Sequence, residues 1–89
     1  MNSHVTAKFR KAFQNLPQNT QKQARRAYRL FMQNPNHPSL QFKPIIASKG
    51  IYSARINLNV RVLGVRRGET IIWFWIGAHA EYEKIINSL

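Results

Sequence analysis

The first half of the chain has its hydrophobic residues at helical spacing. One stripe with a period of 3.6 residues comprises Val5, Phe9, Ala12, Phe13 and Leu16. Thr6 is suited to the N-terminal cap of this segment, and Pro17 ends it. The spacing therefore predicts a first helix that begins close to Thr6.

The next segment, residues 18–34, has an apolar side and a basic side. Its apolar side comprises Ala24, Ala27, Tyr28 and Phe31, and its basic side comprises Lys22, Arg25, Arg26 and Arg29. Asn34 and Pro35 end the segment. The two segments together predict a helix hairpin with an apolar inner face and a basic outer face.

The second half changes to the period of strands. Residues 52–58 alternate between apolar and polar, and a turn at 57–59 leads into the segment VRVLGV at 60–65. A turn at 67–69 precedes TIIWFWI, whose continuous apolar run suits a central strand covered on both faces. A short strand FKPI is expected earlier, and a last helix is expected to begin near His79.

The order of these elements predicts an α+β fold. We expect an N-terminal helix hairpin packed on a three- to four-stranded, mainly antiparallel sheet, followed by a short C-terminal helix. The hairpin is expected to cover one face of the sheet and to leave the other face partly open. The chain has 89 residues, which is enough for one core, so residues 1–89 are predicted to form a single domain.

Composition narrows the class of protein. Apolar residues make up 44% of the chain, as in an ordinary folded domain, and no run of eighteen apolar residues suggests a membrane span. The N-terminal segment MNSHVTAKFRKAF carries charges where a secretion signal needs an apolar run, so a cytoplasmic location is expected. The chain has no cysteine, which excludes disulfides, thiolate zinc sites and a cysteine nucleophile.

The charge of the chain points to a polyanionic partner. Fourteen Lys and Arg residues face three acidic residues, giving a formal net charge of +11. Arg55 and Arg61 fall on adjacent strands of the predicted hairpin and can project toward the open sheet face, and the next turn carries Arg66 and Arg67. Such a face can hold phosphates, although scattered arginines facing solvent would give the same pattern.

Three segments carry a resemblance to a known family. They are NPNHPSLQFKPI at 34–45, IYSARINLNVRVLGV at 51–65 and WFWIGAHAEYEKII at 73–86. In this order and spacing they resemble the RelE/ParE superfamily of bacterial toxins from toxin–antitoxin pairs. Within that superfamily, RelE-type members are ribosome-dependent endoribonucleases that cut mRNA in the decoding site of the 30S subunit without a metal. ParE-type members have the same fold and poison DNA gyrase.

The resemblance implies a set of site residues. Arg61 matches an arginine that contacts the scissile phosphate, and Arg55 matches a basic strand position. His79 falls where relatives have histidine or arginine, and Tyr82 falls near a tyrosine that positions the substrate. Two departures stand out, because Ser53 and Arg55 replace the paired lysines of RelE and because asparagines at 57 and 59 replace a glutamate base.

The candidate residues suit metal-free cleavage of RNA through its 2′-hydroxyl. Histidine can transfer protons near neutral pH, and arginine grips phosphate oxygens with its planar fork. His79, Arg61, Arg55 and Tyr82 are therefore the predicted catalytic residues. Lys43, Lys49, Arg66 and Arg67 are predicted to bind RNA. His79 could instead be a polar turn residue, and Tyr82 could belong to a packing stripe with Ile85, Ile86 and Leu89.

The leading functional prediction is a toxin that cleaves mRNA on the ribosome and that an acidic antitoxin protein neutralises. As an enzyme it would be a metal-independent endoribonuclease, or mRNA interferase, with no metal, no other cofactor and no membrane partner. The alternatives are a ParE-like toxin directed at gyrase and a catalytically inactive RelE-like protein that binds nucleic acid.

Overall fold

The computed structural model describes residues 1–89 and contains three α-helices and five strands. The helices are α1 (Ala7–Gln14), α2 (Gln18–Gln33) and α3 (His79–Ser88). The strands are β1 (Asn2–Val5), β2 (Lys43–Ile46), β3 (Ile51–Arg55), β4 (Val60–Arg67) and β5 (Thr70–Ala78). Short 3₁₀ turns at Pro38–Leu40 and Ala47–Lys49 flank β2. No helix is both long enough and apolar enough to cross a bilayer.

All five strands form one sheet in the order β1-β5-β4-β3-β2. The β2–β3, β3–β4 and β4–β5 pairs are antiparallel, whereas β1 pairs with β5 in parallel. The predicted α+β class and the antiparallel meander are confirmed, and the two predicted helices form, but a strand precedes them at the N-terminus. The predicted strand count is wrong, because the sheet has five strands and is mixed.

The missing strand is β1, at the start of the chain. Residues 2–5 pair with residues 70–73 of β5, so Val5 belongs to a strand and not to the first helix. The predicted cap is confirmed, since the backbone N–H of Phe9 donates to Thr6 Oγ1 at 3.1 Å. Val5 nevertheless packs against the core, which explains why it matched the helical stripe.

A hydrogen bond ties β1 to the core. The indole N–H of Trp73, a residue that is only 4% exposed, donates to Ser3 Oγ at 3.0 Å. Replacing Ser3 by alanine leaves this donor without its partner. We expect Ser3→Ala to lower the free energy of unfolding by about 1–3 kcal/mol, measured by urea denaturation. Ser48→Ala, at an exposed position, should change it by less than about 0.5 kcal/mol. Equal effects of the two changes would contradict this role for Ser3.

The core lies between the helix hairpin and one face of the sheet. It contains Ala24, Ala27, Phe31, Leu40, Ala54, Val60, Val62, Ile71, Trp73 and Ile76. The ring of Phe31 packs edge-on against Trp73, with the centroids 5.4 Å apart. Tyr28, predicted on the inner face of α2, is 42% exposed, because it lies at the margin of the buried stripe.

The opposite face of the sheet is covered in part by α3. Leu63 is fully buried but lies outside the core beneath the hairpin, and α3 contacts β4 and β5. Ile72 on β5 is 43% exposed, so this face is covered over only part of its length. The prediction of a partly open face is therefore correct, while the expectation that β5 is covered on both faces holds for part of the strand.

The β3–β4 connection is a loop at 56–59. Asn57 Oδ1 accepts the backbone N–H groups of Asn59 and Val60 at 2.8 and 2.9 Å, which ends β3 at Arg55. Leu58, which the alternating pattern placed on the buried side, is 76% exposed at the tip of this loop. The predicted turn is confirmed, and the predicted burial of Leu58 is wrong.

Candidate functional site

Two arginines lie directly opposite each other on neighbouring strands. Arg55 on β3 and Arg61 on β4 are register partners, so their side chains leave the same face of the sheet. Both residues are half-buried. Side chains alternate along each strand, so this is also the face on which Leu63 is buried. The sequence prediction that these two arginines share a face is therefore matched by the register.

Backbone carbonyls hold each guanidinium in place. Arg61 Nη1 donates to the carbonyl oxygen of Asn57 at 2.6 Å and to that of Val60 at 3.2 Å. Arg55 Nε donates to the carbonyl oxygen of Ser39 at 3.2 Å. An arginine has five N–H donors, so both groups keep donors for a ligand while their positions are fixed.

The arginine pair has no carboxylate partner. The single ion pair of the chain joins Arg66 to Glu69, with 3.8 Å between Nη2 and Oε1. Partial burial lowers the pKa of Arg61 below its ordinary value, the neighbouring Arg55 cation lowers it further, and Tyr82 acts in the opposite direction. Arginine nevertheless remains charged at neutral pH. Two like charges held together in this way favour the binding of an anion.

The first turn of α3, which carries His79 and Tyr82, begins beside the loop that joins the two arginine strands. The backbone N–H of His79 donates to the carbonyl oxygen of Asn59 at 2.6 Å, which fixes the start of the helix beside the 56–59 loop. The two rings stack with their centroids 5.8 Å apart and their planes 12° from parallel. His79 is exposed and Tyr82 is half-buried. The imidazole thus lies at the surface and not among aliphatic side chains.

Gly77 is the residue of β5 that lies beside Arg61 in the sheet. It is the register partner of Arg61, and a Cβ atom built on it would lie 2.6 Å from Trp75 Cζ2. The Trp75 ring therefore lies close over the Gly77 backbone, in space that any larger residue at 77 would take. Sequence reasoning missed this contact. The available signal was a tryptophan two positions before a glycine, on one face of a strand.

The four predicted RNA-binding residues do not lie together. Lys43 is exposed on the edge strand β2 and pairs with Ser53, two residues before Arg55. Arg67 lies six residues along β4 from Arg61, a separation of about 20 Å along the strand. Lys43 is thus the one member of this set near the arginine pair.

Lys49, Arg66 and Arg67 form a separate basic group at the far end of β4. Arg67 Nη1 donates to the carbonyl oxygen of Lys49 at 3.3 Å, and the Lys49 ammonium donates to that of Leu89. The Arg66 guanidinium lies over the ring of Tyr52, 5.3 Å from its centroid. A role for this group in binding RNA stays a prediction, and any such contact would be to a different part of the strand.

A protein-family model described as a ParE-like toxin domain matches residues 18–84. The chain belongs to the ParE-like toxin family. The resemblance to RelE/ParE toxins drawn from the sequence is therefore confirmed. A search of curated proteins finds no match to the chain.

Solved toxin structures have the same fold as this ParE-like toxin domain. YafQ from E. coli superimposes with a TM-score of 0.71 at 14% identity, over 91% of this chain and 96% of YafQ. The RelB–RelE complex from Methanococcus jannaschii gives 0.71 at 20% identity, with 92% and 96% coverage. The RelE–RelB complex from Pyrococcus horikoshii gives 0.71 at 15% identity, with 86% and 92% coverage. At these identities the likeness establishes the fold alone.

Proposed function

We propose that this ParE-like toxin domain is a ribosome-dependent mRNA endoribonuclease that needs no metal. The observation that carries the proposal is the register pair Arg55 and Arg61, which lacks a carboxylate partner, together with His79, whose backbone is hydrogen-bonded to the loop joining the two arginine strands. A pair of fixed cations beside a proton-transfer group is suited to the cleavage of a phosphodiester.

We also propose that residues 1–89 form one toxin domain, since β1 and α1, which lie outside the matched span, pack on β5.

The reaction begins at the 2′-hydroxyl of the nucleotide on the 5′ side of the scissile bond. The His79 imidazole takes the hydroxyl proton, and the 2′ oxygen attacks the phosphorus. The bond to the 5′ oxygen of the next nucleotide breaks, which yields a 2′,3′-cyclic phosphate and a 5′-hydroxyl. Because one imidazole cannot supply the second proton in the same step, the leaving oxygen takes a proton from water at this exposed site.

The arginines act on the phosphate itself. Arg61 and Arg55 bind its non-bridging oxygens and stabilise the charge that builds up on them in the transition state. Tyr82 stacks on the imidazole and so fixes the plane in which His79 accepts the proton. These residues are few, so another molecule must align the RNA strand for the reaction. The ribosome would supply that alignment, which is why we propose bound message as the substrate.

An acidic antitoxin is the proposed protein partner. The formal net charge of +11 favours a protein of opposite charge, and complementary charge speeds such an encounter. Three of the solved relatives are complexes, RelB–RelE from two archaea and DinJ–YafQ from E. coli. We propose that the antitoxin of this chain covers the arginine pair, and that the complex resides in the cytoplasm.

A second candidate function is a gyrase-directed toxin, and an inactive RelE-like protein that binds nucleic acid would have the same surface. The observation that favours either is the 56–59 loop. Asn57 and Asn59 stand where some relatives have a glutamate, and Asn57 is occupied in holding the loop closed. Neither residue can act as a base, so proton abstraction depends on His79 alone.

A direct assay separates these candidates. We expect the purified chain to cut messenger RNA bound in a translating ribosome, leaving a 2′,3′-cyclic phosphate, in the presence of excess metal chelator. Free message of the same sequence should be cut far more slowly, because nothing holds it in line. Inhibition of DNA supercoiling by gyrase without any cleavage of ribosome-bound message would favour the second candidate and overturn the first.

A further inference from the structure

A cavity adjoins Arg55 on the side of α2. It has a volume of about 360 Å³ and lies between α2, the turn at 38–40 and the 56–59 loop. Its polar lining includes Gln23, Arg26, Arg55 and Asn57, and its apolar lining includes Leu30 and Leu58. Small-molecule sites in proteins start at about this volume and combine apolar walls with a few polar groups.

The polar side chains that line this cavity have free hydrogen-bond donors. Asn57 Nδ2 donates to Gln23 Oε1 at 2.7 Å, which uses the acceptor of Gln23 and leaves its Nε2 amide without a partner. The guanidinium of Arg26 makes no hydrogen bond within the protein, and the residue is exposed. Asn57 Oδ1 is already occupied by the two backbone N–H groups of the loop. A ligand that fits must therefore present acceptors to Gln23 and Arg26.

The cavity and the phosphate site share one loop. Arg55 lines the cavity and faces Arg61 across the strands. The carbonyl of Asn57 accepts from Arg61, while its side chain reaches Gln23 in the cavity. A strand whose phosphate lies on the arginine pair thus has a neighbouring base within reach of the cavity. Leu58, 76% exposed at the loop tip, would be covered by that base.

We propose that this cavity binds an unpaired guanine base of the RNA strand held at Arg55 and Arg61. The proposal rests on the proposed function, because it assumes that the arginine pair holds RNA. Sequence-specific recognition of RNA uses bases splayed out of a single strand. Guanine presents two adjacent acceptors, O6 and N7, which an arginine fork binds together. Adenine has an amino donor in place of O6 and would face the donors of Gln23 and Arg26.

Binding of uncleavable RNA tests this assignment independently of catalysis. The probes are the labelled pentaribonucleotides CCGCC and CCACC with 2′-O-methyl sugars, and the full-length chain is titrated into each while fluorescence anisotropy is recorded. We expect the guanine probe to bind roughly tenfold more tightly than the adenine probe, within the usual range for one bidentate base contact. Arg26→Gln should reduce this ratio to about two or less.

A matched variant separates base contact from charge. Arg29→Gln removes the same charge from the same helix at an exposed position that does not line the cavity. It should weaken the binding of both probes by a similar factor and leave the ratio of their dissociation constants unchanged. Both variants are first checked for unchanged circular dichroism and thermal unfolding. A wild-type ratio near one, or a ratio that Arg26→Gln leaves intact, would overturn the guanine assignment.

The outcomes also separate this inference from the proposed function. Preference for guanine without any cleavage of ribosome-bound message supports the cavity assignment and rejects the nuclease. Cleavage of ribosome-bound message by a protein that binds both probes equally supports the nuclease and rejects the cavity assignment.

Discussion

Replacing Arg61 by alanine should lower the rate of cleavage of ribosome-bound message by about 10²–10³-fold, as removal of one preorganised donor to a developing anion does in other enzymes. The carbonyls of Asn57 and Val60 fix the Arg61 guanidinium before any substrate arrives. Little reorganisation is then needed as charge builds up on the phosphate. The measurement is the single-turnover rate on programmed ribosomes at saturating toxin, with binding of uncleavable RNA recorded in parallel.

Two further variants show what part of Arg61 matters. Arg61→Lys keeps a positive charge but loses the planar fork, so its rate should lie between those of the wild type and Arg61→Ala. Arg29→Ala removes an equal charge from the exposed side of α2 and should leave the rate close to that of the wild type. If Arg61→Ala stays folded and cuts at the rate of the wild type, the arginine pair is not the phosphate site.

Local pattern was enough to predict most of the fold. The period of two along β3, the apolar run of β5 and the helical stripe of α2 each predicted the element that forms. The strand β1 could not be predicted in this way. It has four residues, and it exists because they pair with residues 70–73, far along the chain. Its last residue, Val5, also suited the stripe of the helix that follows.

The site could be predicted where strand register decides it. Alternation along β3 and β4 is enough to place Arg55 and Arg61 on one face. Alternation does not show how far apart two residues lie along the same strand, and so whether they can belong to one site. Arg66 and Arg67 are on the same strand as Arg61, yet they lie at the turn with β5, about 20 Å away.

Other parts of the site depend on contacts that leave no local signal. The hydrogen bond between Gln23 and Asn57 joins residues 34 positions apart, and no periodicity links the two amides. The position of His79 depends equally on the bond from its backbone to Asn59, which fixes where α3 begins relative to the loop. Such contacts follow from the tertiary packing and become visible only in the folded chain.

Loss of the imidazole at position 79 should separate catalysis from binding. We expect His79→Gln to lower the single-turnover rate of cleavage by about 10²–10⁴-fold, the usual effect of removing a positioned base. Binding of uncleavable RNA should change little, because the cations of Arg55 and Arg61 remain. Arg61→Ala differs in this respect, since it should weaken binding as well as cleavage. The comparison of the two variants in both assays therefore assigns proton transfer to one residue and phosphate binding to the other.

Two controls make the result for His79 specific. His4→Gln makes the same substitution at an exposed position on β1, on the far edge of the sheet, and should cut like the wild type. Tyr82→Phe keeps the ring that stacks on the imidazole and removes its hydroxyl, so a small effect is expected if stacking is its role. Full cleavage by a folded His79→Gln protein would remove the imidazole from the mechanism. Since Asn57 and Asn59 cannot accept the proton, no base would then remain in the 56–59 loop, and the ribosome itself would have to provide one.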